Sequence, residues 1–170
     1  MTVHPILLSA LLVDAVRMGV EKAAAHHALG AGVLVAELPS DVSLPSRSTR
    51  LAVRANTPAI ARAGLSLDMV AWPLKKRTFS LAGTELTVGR DPENDIVVPH
   101  AAVSKLHARI AVDAKEAHIW DAGSANGTRV EDSAATRDLP VLLTDRAVVR
   151  LGEMPLLFFR PSTLLELLLA

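Results

Sequence analysis

Three short stretches carry the side chains best suited to chemistry: T-V-G-R, V-S-K-L-H and A-N-G-T. Gly89 and Arg90 close a strand-like run and put a guanidinium into the loop that follows. Ser104, Lys105 and His107 sit together where another strand begins. Asn126-Gly127 is a turn signal, because both residue types tolerate positive φ. Brought to one place, these groups suit a phosphate ester. Arginine offers a planar fork for two oxygens, serine a hydroxyl donor and lysine an amine. The asparagine amide both donates and accepts, which suits gripping an extended peptide beside the phosphate. The chemistry requires that loops distant in sequence meet at one end of the fold.

Other chemistries find less support. The absence of cysteine excludes disulfides and thiolate chemistry, and leaves zinc only His and carboxylate ligands. His26 and His27 are neighbours on a helical stretch, so their side chains point about 100° apart and do not share one ion. No H-E-x-x-H motif is present, and His100 and His118 lack partners at ligand spacing. No G-x-S-x-G frames Ser104 or Ser124. The expectation is a binding protein with no catalytic residue, no metal and no cofactor.

The chain balances 18 basic against 18 acidic residues, so no charge excess drives it onto nucleic acid. Half of its residues are apolar and only 3% are aromatic, which points to aliphatic packing. The best apolar run, Ile6 to Val13, ends at Asp14, well short of the about 20 residues a membrane span needs. No Lys or Arg precedes that run, so it reads poorly as a signal peptide. A cytoplasmic protein is expected, and Arg in excess of Lys with abundant Ala leans towards a bacterial source.

The elements that must position the three stretches come next. Residues 5–29 predict one helix, with Pro5 in the first turn and Gly30 at the stop. Asp14, Arg17 and Glu21 share a narrow polar face on which Arg17 can pair with either acid. Apolar residues fill the rest, so burial on more than one side is expected. The run V-L-V-A-E-L predicts a buried strand, and a Pro- and Ser-rich loop follows. Arg50 to Arg54 alternate like a strand, and Thr57-Pro58 opens a short helix that stops near Gly64. Beyond residue 66 strand-like pieces recur: Met69 to Trp72, Thr78 to Leu81, Glu85 to Val88, Asp95 to Val98, His107 to Val112, Ala117 to Trp120, Thr128 to Val130, Val141 to Leu143, Ala147 to Leu151 and Pro155 to Phe159. That texture predicts a mainly β chain, an antiparallel β-sandwich preceded by a small α+β unit. The expected units are 1–66, 67–160 and a short Leu-rich helix at 161–170. That helix and the amino-terminal one expose enough aliphatic surface to pack together or to form a homo-oligomer or partner interface.

The three stretches, in this order, spacing and strand context, resemble the forkhead-associated (FHA) family over about residues 67–160. N-D-I-V-V, D-A-G-S and D-R-A-V-V-R-L-G add to the likeness. The resemblance implies a two-sheet sandwich that reads phosphothreonine through loops at one end. Arg90 and Ser104 would contact the phosphate, Lys105 would assist, and Asn126 would hold the backbone of the bound peptide. Gly89, His107 and Gly127 would support the site. Ala125 departs from the pattern, since many members carry Thr, Ser or Arg there, and a further donor is lost. The implied role is a phosphothreonine-dependent adaptor whose partners are a phosphothreonine-containing protein and a Ser/Thr kinase system. The alternative is a structural or assembly subunit that uses the same fold as a phosphate-independent interface. Thr57, followed by Pro, Ala and Ile, is a candidate phosphorylated segment for the domain itself.

Overall fold

The computed structural model describes residues 2–27, 29–38, 63–74, 84–113 and 115–170. The expected strands at 50–54 and 78–81 and the Thr57-Pro58 helix lie outside the described residues.

Two sheets face one another. The larger runs β1 (Ile6–Leu7), β3 (Val70–Pro73), β2 (Val33–Ala36), β12 (Met154–Phe159), β11 (Val148–Leu151), β8 (Thr128–Val130) and β9 (Ser133–Ala135). The smaller runs β10 (Val141–Leu142), β7 (Ala117–Asp121), β6 (Ala108–Val112), β4 (Thr84–Gly89) and β5 (Ile96–Val97). Pairing is antiparallel throughout the described sheets except between β4 and β5, which run parallel. The architecture is the mainly β sandwich with a small α+β lead that the strand spacing predicts. Neither β1 nor β9 was expected.

Strand periodicity explains the central core. On β6 and β7 every second residue is buried, which turns Ala108, Ile110, Val112, Ala117 and Ile119 inward. They meet Leu34, Trp72, Val149, Leu151 and Phe158 from the facing sheet. Gly32 is needed beside Phe158, because a Cβ there would strike the ring.

A second apolar layer covers the outer face of the large sheet. Helices α1 (Leu8–Met18), α2 (Val20–His26) and α3 (Pro161–Leu169) lie over Val33, Val35, Ala71 and Phe159. Leu8, Leu11, Leu12 and Ala15 form the buried stripe of α1, at the three- and four-residue spacing of one helix face. They pack with Leu164, Leu165 and Leu168 of α3. All of β2 is buried because one face meets the sandwich core and the other meets the helices. β2 also pairs with both β12 and β3, so sheet hydrogen bonding crosses the boundary drawn at residue 66.

The single helix expected over 5–29 is corrected in two ways. Ile6 and Leu7 are extended and pair with β3. At φ 87° and ψ 160° Gly19 breaks the rest into α1 and α2. The break brings Asp14 to His27, with Oδ2 and Nε2 2.7 Å apart, in place of the expected partner Arg17.

Candidate functional site

Three loops at one end of the sandwich are tied directly to one another. The loop after β4 joins the loop before β6 through two backbone bonds. The Arg90 N–H donates to the Ser104 carbonyl at 2.9 Å, and the Asp91 N–H donates to that of Lys105 at 3.2 Å. Asn94, nearly buried, reinforces this junction by donating its amide to the carbonyls of Lys105 and Asp91 at 2.6 and 2.8 Å. The approach is so close that a Cβ on Gly89 would run into the Lys105 carbonyl. Only glycine fits at that position.

The loop before β6 joins the one before β8 through Ser104 and His107. The Ala125 N–H donates to Ser104 Oγ at 3.0 Å. Fully buried His107 accepts from the Ser104 N–H at Nδ1, 2.9 Å away, and its Nε2 lies 3.0 Å from the Gly127 carbonyl. These contacts require a neutral ring with its hydrogen on Nε2, since Nδ1 accepts and Nε2 donates. The Gly127 N–H is taken by Ser124 Oγ at 2.9 Å, and Gly127 has φ 80°. Asn126 Nδ2 donates to the Ala102 carbonyl at 3.0 Å, a further link between the same two loops.

Arg90, Lys105 and Asn126 are exposed and Ser104 is half-buried. Arg90 Nε donates to the Val103 carbonyl at 3.2 Å, which lays the guanidinium against the loop that carries Ser104. Ser104 Oγ already accepts one hydrogen bond, so its O–H is left to donate outward. The contact from residue 125 is made by backbone, and alanine there supplies it as well as a larger residue. The sequence-predicted residues are thus brought to one end of the molecule, on loops bound to each other.

Asp121, nearly buried, organises the third loop. Its carboxylate accepts from the Ser124 hydroxyl at 2.6 Å, the Thr128 hydroxyl at 2.7 Å and the Gly123 and Ser124 amides at 2.7 and 2.9 Å. Burial pushes this carboxyl up, but the hydrogen bonds from Ser124, Thr128 and Gly123 outweigh it and hold it below the usual carboxylate range. Neither Asn94 nor Asp121 was singled out from the sequence, although D-A-G-S was available as a signal for a carboxylate-capped turn. Among the described residues no group of three or more His, Asp or Glu could hold a metal ion, and His27 is engaged with Asp14.

Comparison with known proteins places this geometry. The family model for the FHA domain matches residues 86–152, a span that includes all three loops. The chain is 32% identical over 129 residues to the oxoglutarate dehydrogenase inhibitor of Corynebacterium efficiens, covering 76% of this chain and 77% of that protein. It is 38% identical over 72 residues to an FHA domain-containing protein of Arabidopsis thaliana, of which it spans only 19%. Among solved structures it is similar to the FHA domain of a Chlamydia trachomatis protein, at 31% identity, 51% of this chain, 87% of that chain and a TM-score of 0.41. An Arabidopsis thaliana FHA domain aligns at 24% identity, 78% of this chain, 87% of that chain and a TM-score of 0.48. The motif match over the loops and the long alignment that reaches beyond them agree, and the chain belongs to the FHA family.

Proposed function

We propose that this chain is a phosphothreonine-dependent adaptor, a non-enzymatic module that binds a phosphorylated segment of a partner protein. In this reading Arg90 and Ser104 take the phosphate, Lys105 adds a nearby cation, and Asn126 steadies the bound backbone. Gly89, His107 and Gly127 hold the loops. One observation carries the reading: the backbone and His107 bonds that lock the Arg90, Ser104 and Asn126 loops together before any ligand arrives. Such preorganisation lowers the ordering cost of binding. A phosphothreonine carries roughly −1.5 to −2 charges near neutral pH, which suits the Arg90 and Lys105 cations.

Arg90→Ala is expected to weaken phosphopeptide binding by about tenfold to over a hundredfold, the cost of one charge-assisted hydrogen bond. Because Arg90 is exposed, the melting temperature should stay the same. Calorimetric titration with matched phosphorylated and unphosphorylated peptide libraries tests this, and an unchanged dissociation constant would count against the site.

The partners we assign are a phosphothreonine protein and a Ser/Thr kinase system in the cytoplasm. No helix among the described residues is long and apolar enough to cross a membrane. A homo-oligomer through α1 is a lesser extension, since the apolar stripe of that helix faces α3 and the sheet and leaves Val16 exposed. Sedimentation against concentration tests it.

The alignment with the Corynebacterium efficiens inhibitor runs well past the FHA match and favours a second reading. In that reading this chain would use the fold as a phosphate-independent interface that docks on a metabolic enzyme. Inhibition of oxoglutarate dehydrogenase that survives Arg90→Ala would support it over the first.

A further inference from the structure

Arg137 lies in the turn between β9 and β10, outside the three loops of the proposed site. Its guanidinium nonetheless occupies the space in front of Gly123. A Cβ built on that glycine would sit 2.7 Å from Arg137 Cζ and 2.8 Å from Nε. Gly123 has φ 88°, and its missing side chain leaves room for the planar group to lie against the loop backbone. Arg109 is engaged with Glu85 at 3.0 Å and Arg129 with the Asp132 carbonyl at 2.7 Å, whereas exposed Arg17, Arg146 and Arg150, like Arg137, make no side-chain hydrogen bond or ion pair among the described residues. Arg137 is exposed and makes no hydrogen bond or ion pair among the described residues.

A guanidinium that lies over a loop glycine and has no anion of its own is open to one supplied by a ligand. Its position tells where that anion would come from. Gly123 is two residues from Ala125, whose N–H donates to Ser104 Oγ at 3.0 Å. Two residues span at most about 7 Å. The guanidinium therefore sits within roughly a dozen ångströms of the Ser104 hydroxyl, about four residues of an extended peptide.

Resting on the phosphothreonine reading above, we infer that Arg137 is a specificity-determining residue that pairs with an acidic side chain of the bound segment, within about four residues of its phosphothreonine. The pair lies at the rim of the site and is partly screened. Its effect is a modest preference that weakens as salt rises.

The test is a fluorescence-anisotropy titration of labelled phosphothreonine peptides. Aspartate is placed in turn at each of four positions on either side of the phosphothreonine in an alanine background. The wild-type chain should favour aspartate over alanine at one or more positions by about two- to fivefold at low salt. In Arg137→Gln that ratio should fall to about one, while Arg137→Lys should keep part of it. Melting temperatures check that each variant is folded. Phosphopeptide binding with no aspartate preference at any position, or a preference that survives Arg137→Gln, overturns the inference and leaves the adaptor reading standing. Failure of the wild-type chain to bind any phosphopeptide overturns both.

Discussion

The Asp121 carboxylate accepts four hydrogen bonds that are strongest when it is charged, and these hold its pKa below the usual range. A group whose folded pKa is depressed contributes stability that is fully present above its unfolded pKa. That contribution is lost as pH falls through the folded value. Asp121→Asn should therefore cost about 1–3 kcal/mol at pH 7, and the gap between variant and wild type should narrow below about pH 4. Thermal melts of both proteins between pH 7 and pH 3 check this. The residues around Asp121 differ in how far the sequence announces them. Gly89, Arg90, Ser104, His107 and Asn126 could be named because their types recur at a recognisable spacing. The function of Asn94 depends on which carbonyls reach its amide across a loop junction. The place of Arg137 depends on a glycine 14 positions earlier in the chain. Contacts of this kind are set by tertiary approach, and no local pattern encodes them.

At the scale of elements, the strands were easier to foresee than the helices. β6, β7, β8, β11 and β12 lie close to their expected positions because period-two burial leaves a clear trace. β1 and β9, at two and three residues, are too short to leave one. The amino-terminal helix reads as continuous because helix propensity on both sides of Gly19 is high. The break follows from backbone conformation at that single residue, which helix α1 uses as its end and α2 as its start. A Cβ on Gly19 would meet nothing within 4 Å, so substitution there is penalised by backbone conformation alone. Gly19→Ala is expected to destabilise the protein by about 1–3 kcal/mol, as measured by urea denaturation. Phosphopeptide affinity should hold, since α1 and α2 cover the outer face of the large sheet and the proposed site is built from loops of the sandwich.

For the whole molecule, the division at residue 66 separates stretches that share one sheet. β2 lies between β3 and β12, and the helices rest on the face that β2 and β12 form together. A protein cut to residues 67–170 would leave β3 without either neighbour and uncover Phe159 and Ala71. It should melt at a lower temperature than the full chain and bind an apolar dye that the full chain excludes. Calorimetry and dye fluorescence read these outcomes. The first described residues have a different consequence. Val3 donates to the Asp95 carbonyl at the start of β5, and Ile6 and Leu7 then pair with β3. β5 ends the small sheet and β1 ends the large one, so residues 3–7 lace shut one open side of the sandwich. A bare border there would be a template on which a second molecule could add a strand. These few residues cover that border and bear on β5, the strand into which the Arg90 loop runs.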